Sequence, residues 1–130
     1  MILLDTHIVS WLAFEPENIS KKAAEVIAQA RLVGDGLGIA DMTLWELAMM
    51  VSRGRIQPTV PLESFLREIE ANFIVFPVSA SIAARSMQFT AAYPSDPMDR
   101  VIGATALVQG MSLVTADRKI QASKEVPFIW

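Results

Sequence analysis

Five acidic residues stand where the chain passes from one element into the next: Asp5, Glu46, Asp96, Asp99 and Asp117. Each has an ordinary explanation when taken alone. Asp caps helices through its side-chain oxygen, and carboxylates near a helix N-terminus complement the dipole. Thr43 and Glu46 have the spacing of a capping box. If the acids meet, however, they disfavour one another's ionised forms, and a hard divalent cation removes that cost. Mg²⁺ is the expected ion, with Mn²⁺ as a substitute, because both accept carboxylate and water oxygens. Such a centre activates water and stabilises a phosphodiester in displacement; two ions would clamp both the attacking and the leaving oxygens. His7 is the only histidine and cysteine is absent, so multi-histidine zinc and thiolate sites are excluded.

The elements that must position these acids follow from apolar patterning. Ile2 to Leu4 is a short apolar run ending at Asp5, the pattern of a strand buried on both faces. A helix follows to about Ala13. Ser20 caps a second helix to about Leu32, and Leu37 to Ala40 is a second strand. The expected capping box at Thr43 opens a helix with Leu44, Leu47, Ala48 and Val51 inward and Glu46 in its first turn; Gly54 ends it. Leu62 to Ile69 is amphipathic, Phe73 to Val78 is a third strand, and Ser79 caps the helix carrying Ile82, Ala83, Met87 and Phe89. Ser95 or Asp96 caps a helix with Pro97 in its first turn and Val101, Ile102, Thr105 and Val108 facing a core. Ser112 to Thr115 is a fourth strand, a short helix begins at Asp117, and Val126 to Ile129 is an edge strand, where Pro127 is tolerated.

Alternating strands and helices predict an α/β fold with a parallel sheet between helical layers. In such a sheet, strand ends and the following helix starts share one pole, so Asp5, Glu46, Asp99 and Asp117 should converge there, with Asp96 close by. With 130 residues, positions 1–130 suit a single domain. No apolar run is long enough for a membrane span, and no basic leader precedes the first strand, so neither a membrane anchor nor a cleaved signal peptide is expected. The cysteine-free chain is compatible with a cytoplasmic location. A net charge of −3 excludes the footprint of a strong nonspecific nucleic-acid binder, but not an enzyme that meets nucleic acid through bound cations. Neither the Gly-x-Gly-x-x-Gly nor the Gly-Lys-Ser/Thr fingerprint of nucleotide binders is present.

Ile2-Leu3-Leu4-Asp5-Thr6-His7, Leu44-Trp45-Glu46-Leu47-Ala48, Asp96-Pro97-Met98-Asp99-Arg100 and Leu113-Val114-Thr115-Ala116-Asp117 resemble, in order, the four motifs of PIN-domain proteins. The set is most similar to the VapC-type toxin ribonucleases of bacterial toxin–antitoxin pairs. Met98 stands where Phe is frequent in the family, an apolar exchange. The resemblance implies a PIN-like three-layer fold, with a mostly parallel sheet of four to five strands flanked by helices. It implies that Asp5, Glu46, Asp99 and Asp117 are the catalytic, metal-holding positions, with Asp96 at the helix start or behind the ligands. It also implies magnesium-dependent cleavage of RNA, a homodimer and a small cognate antitoxin protein.

Two other functions remain open on sequence grounds. One is a non-catalytic PIN-like binding module. The other is a phosphatase-like or receiver-like protein phosphorylated on Asp5, although His7 stands where a phosphatase has its second Asp and the flanking residues of a receiver are missing. Arg53, Arg55, Arg100, Arg118 and Lys119 can hold RNA phosphates or merely neutralise the acids. Trp11, Phe14 and Trp45 can stack on bases or pack. A 52% apolar content also favours a two-fold contact, for which the helices near Leu62–Ile69 and Ile82–Phe89 are the candidates.

Overall fold

A computed structural model describes residues Met1–Trp130. Its short apolar runs form β1 (Ile2–Leu4), β2 (Leu37–Ala40), β3 (Ile74–Phe76), β4 (Ser112–Val114) and β5 (Phe128–Ile129). They make one sheet in the order β3-β2-β1-β4-β5, with every neighbouring pair parallel. Central β1 and β2 are wholly buried, while edge strand β3 is partly exposed and shorter than the expected 73–78 run. The apolar β5 lies at the other edge as expected, but it begins after Pro127 rather than at Val126, since Pro has no N–H to give a ladder.

Successive side chains of β1 point to opposite faces, and two cores result. Ile2 and Leu4 join Ile8, Ile27, Ile39, Leu47 and Phe65 beneath α1 (Thr6–Phe14), α2 (Lys21–Leu32), α3 (Asp41–Ser52) and α4 (Leu62–Asn72). Leu3 joins Ile82, Ile102, Leu113 and Ile120 beneath α5 (Ala80–Ser86), α6 (Pro97–Val108) and α7 (Arg118–Ser123). The expected three layers are therefore present. Ser20 and Ser79 cap their helices through the amides of Ala23 and Ile82. No helix is long and apolar enough to cross a membrane.

Helix α6 departs from the expected single stripe. Ile102 to Ala106 are all buried, whereas Val108 is 39% exposed. This helix is packed between the sheet and the α5 region, and its small residues let both sides approach. A Cβ on Gly103 would lie 2.9 Å from Tyr93 Cζ and 3.0 Å from Phe89 Cζ. The apolar stripes offered as dimer surface are also corrected: Phe65, Ile69, Ile82 and Phe89 are buried in the domain's own cores. On those two segments Leu62 and Met87 remain exposed.

The chain moves from β1 to β2 on one side and returns to β4 on the other. The crevice beyond the carboxyl ends of β1 and β4 is thus a topological switch point, the place where α/β sheets bind ligands.

Candidate metal centre

Asp5 sits at this crevice as the cap of α1. Its amide donates to the Val114 carbonyl at 3.0 Å, which ties it to the end of β4. Its carboxylate accepts from the Thr6 amide (2.9 Å) and from the Thr115 hydroxyl (2.7 Å). The same Thr115 oxygen accepts the Asp117 amide at 3.1 Å, so one hydroxyl connects two acids. Asp117 in turn caps α7 through the amides of Lys119 and Ile120.

Glu46 reaches the site by a different route from the expected one. Helix α3 begins at Asp41, directly after β2, and its cap is Ala40. Thr43 is therefore inside the helix and buried, its hydroxyl 3.0 Å from that of Thr6. The expected capping box does not form, and Glu46 lies in the second turn rather than the first. Thr6 donates to Glu46 Oε1 at 2.6 Å, which turns the carboxylate toward the end of β1. Asp41 is acidic at the same pole, but accepts from the Val78 amide and serves the chain after β3.

Asp96 caps α6 through the Met98 amide at 2.8 Å, as its helix-start role requires. Asp99 lies in the first turn of α6. Behind it, the Tyr93 hydroxyl donates to the Asp99 carbonyl at 2.8 Å, and Tyr93 stacks on Phe89 with ring centroids 4.0 Å apart.

Asp5, Glu46, Asp96, Asp99 and Asp117 all line one cavity of about 470 Å³. Burial pushes the Asp5 carboxyl above its ordinary range, against the lowering effect of Thr115 and Thr6. Burial also raises Glu46, with Asp5 and Asp96 adding to the shift. Asp99 is pushed up to about 7, first by burial and then by Asp5, Asp96, Glu46 and Asp117; no hydrogen bond to its carboxylate offsets them.

This oxygen-only set of mutually repelling carboxylates suits a hard divalent cation. The side chains as placed do not yet enclose one: no three Asp, Glu or His groups are gathered closely enough to hold an ion. Hydrogen bonds explain part of that spacing, since Asp5, Glu46 and Asp117 are each held by Thr115, Thr6 or backbone amides.

The sequence pattern did not single out Thr6, Thr115 or Tyr93 as functional. A hydroxyl residue next to or two before an acid was the available signal for the threonines. The only tyrosine, six residues before Asp99, was the signal for Tyr93. Among the expected RNA contacts, Arg53, Arg55 and Trp11 line the acidic cavity, together with His7. Arg100 does not serve there, because its guanidinium donates to the carbonyls of Pro94, Phe89 and Thr90. Arg118 and Lys119 are exposed in the first turn of α7, outside the cavity lining. Phe14 leans on Phe65 with centroids 5.7 Å apart, whereas Trp45, which its place inside a helix motif would suit to packing, is 50% exposed.

Comparison with known proteins bears on the chain as a whole. The sequence model of the family described as PIN domain matches residues 2–125. Ribonuclease VapC22 of Mycobacterium tuberculosis is 33% identical over 123 residues, which span 95% of this chain and 92% of that protein. Among solved structures, VapBC2 from Rickettsia felis, bound to a DNA fragment from their promoter, is similar with a TM-score of 0.72 at 17% identity, covering 98% of this chain and 97% of that one. A toxin–antitoxin complex from Klebsiella pneumoniae gives a TM-score of 0.66 at 23% identity, covering 96% and 93%.

Proposed function

Because the chain belongs to the PIN-domain family, we propose that it is a metal-dependent ribonuclease and the toxin of a toxin–antitoxin pair. The observation that carries this is the meeting of Asp5, Glu46, Asp99 and Asp117 in one cavity at the sheet's switch point. The ribonuclease name of its 33% identical relative supports the same activity.

In this proposal Asp5, Glu46, Asp99 and Asp117 hold Mg²⁺, with Mn²⁺ as a substitute. The bound ion would lower the pKa of water and stabilise charge on the phosphodiester. The protein's own contribution is orientation and exclusion. Thr115 and Thr6 aim Asp5 and Glu46, and Tyr93 holds the turn that carries Asp99. Burial of Asp5 keeps bulk water from its carboxylate. Both Asp5 oxygens already accept hydrogen bonds, which disfavours the phosphorylated-Asp5 alternative.

Residues 1–130 act as one domain in this proposal, since a single sheet carries both cores. A small cognate antitoxin protein places a basic side chain against the acids, in competition with metal or RNA, and two copies of the chain form a homodimer. Several similar structures, including those from Rickettsia felis and Klebsiella pneumoniae, are of VapBC or toxin–antitoxin complexes and support the antitoxin.

The activity is tested by incubating labelled RNA with the protein over a magnesium series, with chelator as the reverse arm. Cleavage that requires the metal is expected. Bound but uncut RNA at every metal concentration would leave a non-catalytic binding module. Co-expression with the neighbouring open reading frame should yield a complex with reduced toxicity, and light scattering should give twice the chain mass.

A further inference from the structure

We propose that the part of the cavity built by α1 and the end of α3 is a shelf for single-stranded RNA, with Arg53 and Arg55 on phosphates and the His7–Trp11 pair beneath a base. This rests on the ribonuclease reading and adds the path by which substrate leaves the acids.

The cavity does not stop at the carboxylates. It extends to His7, Trp11, Arg53 and Arg55, and an adjoining recess of about 70 Å³ is lined by His7, Glu46, Arg53 and Arg55. Glu46, His7 and both arginines are thus common to both spaces. The two arginines are held by the end of α3 itself. Gly54, at φ 70°, reverses the chain between them, with its amide on the Val51 carbonyl and the Arg55 amide on that of Met50. These bonds form a Schellman cap, which fixes the backbone of both arginines.

Cations at a helix C-terminus also complement its dipole, which is the ordinary explanation for them. Their surroundings argue for more. The ion pairs of this protein join the Met1 amine to Asp35 and Arg67 to Glu63; Arg53 and Arg55 pair with none of the nearby acids. Arg100 shows the contrasting case, a guanidinium engaged by three backbone carbonyls. Two exposed guanidinium groups at one end of a carboxylate cavity suit successive phosphates of a strand that leaves the acids on that side.

The aromatic component lies on α1. His7 is exposed and tilted against Trp11 with centroids 6.1 Å apart, and Trp130 braces Trp11 at 6.1 Å. An exposed ring backed by a half-buried one, next to backbone-binding cations, is an arrangement that holds single strands, whose bases are free to stack. A duplex offers its phosphates but not its base faces.

The test compares Arg53→Gln/Arg55→Gln, Arg53→Lys/Arg55→Lys, His7→Ala and a control, Arg118→Gln/Lys119→Gln, each checked for unchanged thermal unfolding. Affinity for a fluorescent single-stranded RNA of about 12 nucleotides is read by anisotropy in magnesium across a salt series, on an Asp99→Asn background that slows cleavage. KM and kcat are read without that background. We expect the glutamine pair to raise KM and Kd roughly tenfold with kcat little changed, and to lower the salt slope by about 1.4. The lysine pair should recover most of the slope, His7→Ala should weaken single strands but not a blunt duplex, and the control should behave as wild type. Unchanged Kd and slope in the glutamine pair would overturn the shelf, as would an equal loss in the control. So would an unchanged RNA affinity combined with lost binding of an acidic peptide. Wild type that binds RNA through Arg53 and Arg55 but never cleaves it would instead overturn the ribonuclease reading alone.

Discussion

The two sides of the acidic cavity are built differently. On the strand side, Asp5 and Asp117 are joined through Thr115, and Asp5 is nearly inaccessible. On the α6 side, Asp99 receives no hydrogen bond on its carboxylate and is supported only from behind, at its carbonyl, by Tyr93. Yet Asp99 feels all four neighbouring acids. Hydrogen bonds therefore compensate the strand side within the protein, whereas no hydrogen bond does so on the α6 side, where the proposed cation would act. The difference teaches that metal affinity should be most sensitive at Asp99, and precise geometry most sensitive at Thr115.

The strongest challenge to that division is Asp99→Asn, which keeps shape but removes one charge. Cleavage should fall by more than about 100-fold, since even indirect partners of metal ligands are typically worth 10–100-fold. The metal-free protein should melt at a higher temperature than wild type, because a like charge has left a crowded site. Magnesium should stabilise wild type and have little effect on the variant. Near-normal cleavage with a lowered metal-free melting temperature would return Asp99 to a dipole partner.

Thr115→Val probes the other side by removing one hydroxyl at similar volume. It leaves Asp5 Oδ2 and the Asp117 amide without their partner, a loss of about 1–3 kcal/mol by urea unfolding. Activity should drop roughly 10–100-fold, through misplaced ligands rather than a missing one. If stability falls but cleavage at saturating magnesium does not, the strand side is structural only.

Gly103→Ala tests the support behind Asp99. The added methyl meets both Tyr93 and Phe89, and overpacking there should cost about 1–3 kcal/mol. Tyr93→Phe, which removes only the bond to the Asp99 carbonyl, should cost about 1 kcal/mol. A raised magnesium requirement in Tyr93→Phe, beyond this loss in stability, would show that the tyrosine positions Asp99.

The smallest effect concerns pH. With Asp99 at about 7 and Asp5 and Glu46 also raised, the metal-free folded state binds more protons than the unfolded chain between the ordinary carboxylate range and neutrality. Stability should therefore decline as pH rises through that window. Melting temperatures in chelator should be a few degrees higher near pH 5 than near pH 8, and Asp99→Asn should flatten the slope. Saturating magnesium should oppose it, because bound cation favours the ionised carboxylates.

By itself, the sequence determined the features that depend on near neighbours. Short apolar runs identified the five strands, and Ser20, Ser79, Asp96 and Asp117 cap the helices that their positions predict. The order of the acids along alternating elements was enough to place them at one pole. Contacts between distant segments decided the rest. Thr6 meets Glu46 across 40 positions and Thr115 meets Asp5 across 110, so the Thr43 capping box lost to a pairing that local spacing does not encode. Arg100 and Arg53 are chemically alike in the sequence, and only packing assigned one to backbone carbonyls and left the other free beside the cavity. The shift of Asp99 belongs to the same class, because desolvation and charge depend on what the fold brings near, whatever its separation along the chain.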